Sequence, residues 1–261
     1  MLNRYLTYYK PGMQMAIFLA VLSMTWFLAA LAMEFVNQQL LGYDSATFHE
    51  LKSIPDTLAT PFKLTEIIAL LLMLLLPAML FAYLAYPQPL TYLRADRLAK
   101  PSYLLLGICI MLAALPFSGL LEDWSSHLKL NGETQEMDER YRMLAKLMLS
   151  GNTLGMLLFN IVAISIIPAI VEEIFFRGCL QNILLSWMPK YHMVALMIIA
   201  AVFSAFHGQL SGFFSSFVFG LITRIRILFY WQFMGRGGNA HDQQSDYGGY
   251  GLFVQYSTYY N

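Results

Sequence analysis

The chain has 261 residues, of which 58% are hydrophobic and 12% charged, with a formal net charge of zero. A soluble domain is about 45–50% apolar and about 25% charged, so the composition excludes an ordinary soluble protein and points to an all-α, polytopic transmembrane helix bundle surrounded by membrane lipid. The neutral balance gives no reason to expect nucleic acid as a partner. Cys109 and Cys179 both lie in apolar runs and read as small hydrophobes, not as a disulfide or a metal cluster.

A bilayer span needs roughly 20 mostly apolar residues. The opening "MLNRYLTYYKPG" is a basic, aromatic lead-in with no signal-cleavage pattern after it. Spans are expected at about 13–35, 66–86 and 103–121, in a long run from about 153, at His192–Phe206, and from about 211, giving about six. Pro77 and Pro116 fall inside spans, where kinks are tolerated. Between the third and fourth spans, "EDWSSHLKLNGETQEMDERYRMLAKLMLS" begins as a polar loop and becomes an amphipathic helix expected to rest on the surface. Arg4 and Lys10 precede the first span, and Arg94, Arg97 and Lys100 follow the second. The positive-inside rule then puts the N-terminus in the cytoplasm, in a cell (plasma or inner) membrane, and loops 44–63 and 122–139 on the other side. The basic segment 140–146 runs against that orientation. The fourth run would be roughly 50 Å long as one helix. Pro168 is its expected break or kink, with helix continuing over about 169–187 and closed by Met188-Pro189.

Within that run lies "IPAIVEEIFFRGCL", residues 167–180, whose Glu172 and Glu173 are the sole acidic residues between Arg140 and His241. Residues four apart share a helix face, so Glu173 can pair with Arg177, whereas Glu172 points about 100° away. A solvated helix end is the bland explanation, but the apolar flanks argue against it. An ionisable residue inside a membrane marks a functional site by default. In the returning helix, "VFSAFHGQL" places His207 about as far beyond the turn as Glu172 lies before it, so carboxylate and imidazole are expected at one depth. A carboxylate balanced between burial and a nearby cation can take a proton from water near neutral pH.

Glu-Glu-x-x-x-Arg at Glu172, Glu173 and Arg177, followed by Phe-x-x-x-His at Phe203 and His207, resembles the first two motifs of the CAAX protease and bacteriocin-processing family of intramembrane endopeptidases. The resemblance covers roughly residues 160–222. It implies that Glu172 activates the attacking water, that Glu173 and Arg177 brace the helix, and that His207 helps bind the water. It implies a peptide or lipidated-protein substrate. If a metal is used, such as zinc, His207 and Glu172 are its ligands, although one carboxylate and one imidazole fall short of the usual three protein ligands. The prenyl-substrate version needs a cell that prenylates proteins.

The family's third motif, His-x-x-x-Asn in a later apolar helix, is not matched after Leu221. His241 is followed four places later by Ser245, in a tail rich in Gly, Gln and Tyr. Back-translated and read one base later, that tail can be written as an apolar helix with a His before an Asn. A one-base insertion near codon 222 is therefore the expected origin, against a divergent polar tail as the alternative. The division expected is spans and loop helix over 1–150, a partial catalytic core over 151–222 and an aberrant tail over 223–261. The chain as written is expected to be inactive or nearly so. Two other readings stand beside the peptidase. A proton-coupled transporter would lose pH-coupled flux in Glu172→Gln, and a non-catalytic adaptor or immunity-type protein would tolerate Glu172→Ala. No internal repeat of the kind transporters carry is visible.

Overall fold

A computed structural model describes residues 6, 8–50, 54–93, 95, 101–126, 132–207 and 212–234. All the regular elements described are helical, since a chain in hydrocarbon must satisfy its backbone polar groups internally. They are α1 (Pro11–Leu40), α2 (Ser45–Glu50), α3 (Asp56–Ala85), α4 (Pro89–Tyr92), α5 (Pro101–Ser126), α6 (Gly132–Leu149), α7 (Leu154–Trp187), α8 (His192–Phe206) and α9 (Phe213–Met234). Helices α1, α3 and α7, with 30, 30 and 34 residues, are long and apolar enough to cross a membrane. Helix α5 has 26 residues and covers the third expected span. Helix α8 is a shorter apolar helix of 15 residues.

Helices α1, α3 and α7 pack on one another, α8 lies against the second half of α7, and α9 bridges α8 and α5. Lipid tails are as apolar as leucine, so helices in a bilayer associate through close packing, which small residues permit. Ala78, Ala82 and Ala85 fall on one face of α3, and Ala195 and Ala200 lie on α8; all five are fully buried. Around them Phe18, Phe81, Phe175, Phe176, Ile183, Leu196 and Ile199 fill the main core.

Of the break or kink expected at Pro168, the break is not found. Helix α7 passes through it continuously from Leu154 to Trp187. Residues Ile161–Ile166, just before the proline, form a π-helical segment. Helix α3 repeats the device, with π-helical Leu71–Leu75 just before Pro77. A π-turn widens the coil by one residue, and this accommodates a proline that has no N–H for the carbonyl four residues back. In α3 that carbonyl is Met73's, and it accepts a hydrogen bond from Trp26 Nε1 of α1 at 2.7 Å.

The loop helix α6 is docked rather than lying free. Its Leu147 joins Leu41, Phe48, Ala59 and Phe62 in a second small core, and Arg140 Nη2 donates to the Phe48 carbonyl at 2.7 Å. Lys63, expected at the edge of a loop, belongs to α3 and is fully buried, donating from Nζ to the Ser150 carbonyl at 2.9 Å. The chain turns from α6 into α7 at Gly151, whose φ of 129° is open to glycine and strained for other residues. Thr153 then caps α7, its hydroxyl accepting from the Met156 N–H at 3.2 Å.

Candidate active site

Glu172 ends the α-helical stretch Ile167–Glu172 of α7, and Glu173 opens the π-helical stretch Glu173–Leu180. Single π-turns inside α-helices recur at functional sites. Glu172 is half-buried and Glu173 exposed. The ion pair expected from the four-residue spacing is formed, with Arg177 Nη1 donating to Glu173 Oε2.

The next turn of α7 is clamped to the end of the second span. Asn182 Nδ2 donates to the Tyr92 carbonyl at 3.0 Å and to the Gly178 carbonyl, one turn back in its own helix, at 2.7 Å. Gly178 lets this contact close, because a Cβ there would stand 2.5 Å from the Leu93 carbonyl oxygen. Tyr92 in turn stacks on Tyr86, with ring centroids 3.8 Å apart. The segment that carries the carboxylate pair is thereby fixed against short helix α4.

His207 is the residue at which α8 ends. It is exposed, and its Nδ1 lies 3.0 Å from the Phe203 carbonyl oxygen. A carbonyl can only accept, so Nδ1 carries the proton in that bond, and the Nε2 lone pair is left to take a proton or hold a water. The buried Ser204 hydroxyl donates to the Phe213 carbonyl and ties the last turn of α8 to the start of α9.

The two motifs meet through aromatic rings. Phe176, inside the Glu-Glu-x-x-x-Arg stretch, stands edge-on to Phe203 at 5.2 Å and 82°. Phe203 lies 4.7 Å from the His207 ring. Phe206 adds contacts to Phe176 at 5.8 Å and to Phe175 at 6.4 Å. Phe203, named from the motif alone, is thus the packing link between the α7 motif and the imidazole. Trp26, Asn182 and Tyr92 went unnamed in the sequence reading. The available hint for Trp26 was an indole N–H in an apolar helix, which must find an acceptor.

No group of three His, Cys, Asp or Glu side chains able to hold a metal ion occurs among the described residues. The donors there do not fit a zinc centre, which takes three protein ligands in catalytic sites. His241, the histidine of the unmatched third motif, lies outside the described residues.

No curated protein and no solved structure matches the chain. A family model does, over residues 154–233, and it extends past residue 222, where the sequence changes character. That family is described as type II CAAX prenyl endopeptidase Rce1-like, so the segment from the start of α7 through α9 carries the family resemblance read from Glu172, Glu173, Arg177, Phe203 and His207.

Proposed function

We propose that the protein is an intramembrane endopeptidase that hydrolyses a peptide bond at or near the bilayer with a water activated by Glu172. The observation that carries this reading is the family match over residues 154–233, which encloses both motifs on helices joined by the Phe176–Phe203–His207 contacts. Glu172 takes a proton from water as the oxygen attacks the scissile carbonyl. The tetrahedral intermediate then collapses, the C–N bond breaks, and Glu172 returns the proton to the leaving amine. His207, with Nδ1 tied to its own helix, offers Nε2 to the same water. Glu173 is occupied by Arg177, so its role is to hold the helix turn rather than to transfer protons. No step is assigned to a metal. Substrates of this chemistry present a peptide bond close to a lipid or apolar anchor, as a lipidated C-terminus does.

The test uses an internally quenched farnesylated CaaX peptide and the protein in lipid nanodiscs. The 261-residue chain is expected to cleave it slowly at best. A version with the tail read one base later, written to carry a third-motif helix whose histidine the family resemblance assigns to holding the oxyanion, is expected to be about 10²–10³-fold faster, the usual worth of an oxyanion donor. Glu172→Gln is expected to abolish cleavage in both. Cleavage that survives Glu172→Gln would overturn the reading.

A further inference from the structure

We infer that Trp26 is a positioning residue for His207, acting through Phe206, an inference that rests on the endopeptidase reading above. Trp26 lies midway along α1, far in sequence from both motifs. Its indole is held at two points. Nε1 donates to the Met73 carbonyl at 2.7 Å, the acceptor that Pro77 leaves without its usual helical donor. Its ring stands 5.4 Å from that of Phe206 at 64°.

Phe206 is the last residue of α8, and His207 follows it directly. Support for this last turn comes from two sides. On the α9 side Ser204 donates to the Phe213 carbonyl. On the α1 side the support is the Trp26 ring, and Phe175 and Phe176 of α7 also meet the Phe206 ring, which stays partly exposed. A helix end with few backbone restraints takes its direction from such packing. An indole pinned through its N–H is a stiffer surface than a phenyl ring that can rotate and slide. The proline, the π-turn and the tryptophan therefore work as one unit that sets where α8 ends and where its imidazole lies.

The experiment places a nitroxide on His207→Cys in a Cys109→Ser background; Cys179 is fully buried and does not compete for the label. Trp26→Phe keeps an aromatic ring and deletes the N–H. In the full chain in nanodiscs, Trp26→Phe is expected to raise the mobility of the label at this exposed helix end, narrowing its spectrum. Trp124→Phe, whose ring meets Phe214 instead, is expected to leave the spectrum unchanged. Identical spectra with and without Trp26 would overturn the inference. In the version with the tail read one base later and with His207 intact, Trp26→Phe is expected to lower kcat on the quenched farnesyl peptide about tenfold with KM unchanged, because small misplacements of a reacting group cost that much or more. A fall in melting temperature with kcat unchanged would also overturn it. If no version cleaves the peptide, the endopeptidase reading fails, and the spin-label comparison alone decides the role of Trp26.

Discussion

A methyl group at Gly178 would lie 2.5 Å from the Leu93 carbonyl oxygen and 3.1 Å from the Leu93 carbonyl carbon and Cα. All three are backbone atoms, so the clash cannot be relieved by a side-chain rotation. Gly178→Ala is expected to lower the melting temperature of the detergent-solubilised protein, at a cost of about 1–3 kcal/mol as for other overpacked sites. An unchanged melting temperature would show that the α4 turn can move away from α7. The close approach that Gly178 permits is to Leu93, at the end of the short α4 turn. The Glu173–Arg177 pair was legible for a simple reason, since it depends only on helical spacing. Trp26, Asn182 and the burial of Lys63 were not, because each is defined by a partner at least 47 positions away in the chain.

Among the elements, the prolines misled most. Pro168 reads as a break or a kink because proline removes an N–H and crowds the preceding turn, and the helix runs on unbroken. Nothing in hydrophobic periodicity signals that a π-turn will precede it and absorb the defect, as happens in both α3 and α7. Short helix α2 is simpler. Asp44 caps it, with Oδ1 accepting the Thr47 N–H at 2.6 Å. The Thr47 hydroxyl and then its N–H hold the Asp44 carboxyl below its ordinary value. A carboxyl whose folded-state pKa is depressed stabilises the fold above its unfolded-state pKa, and that contribution is lost as pH falls through the folded value. Protection of the Thr47 amide, corrected for intrinsic exchange, is therefore expected to persist at neutral pH and to decline in acid below the usual aspartate range. Asp44→Asn is expected to flatten that profile. Protection that stays constant into strong acid would remove Asp44 as the cap.

For the whole molecule, composition and the length of apolar runs were enough to give an all-α membrane bundle, because both are set by the thickness of hydrocarbon and by its intolerance of unpaired backbone. Tertiary arrangement was less accessible. Helix α6 docks on the second small core through Leu147 while its other described side chains from 136 to 149 stay exposed or half-buried, and amphipathicity alone does not say whether the apolar face meets lipid or protein. Counting along an antiparallel pair puts Glu172 and His207 at one depth as an expectation; the contacts observed run from Phe176 through Phe203 to His207.

Helix α8 has 15 residues, which is about 22 Å of rise, against roughly 30 Å of hydrocarbon. If α8 begins at one face of a bilayer, so short a helix obliges lipid on that flank to pinch inward or admits a dimple of water from the opposite leaflet. Peptide hydrolysis in oil needs such a dimple. On the endopeptidase reading proposed above, bilayer thickness is a control on the reaction, and cleavage of the quenched peptide by the version with the tail read one base later is expected to be faster in nanodiscs of short-chain 14-carbon lipids than in those of 22-carbon lipids. Equal rates in the two would mean that water reaches His207 by a route enclosed within the bundle, independent of the surrounding leaflet.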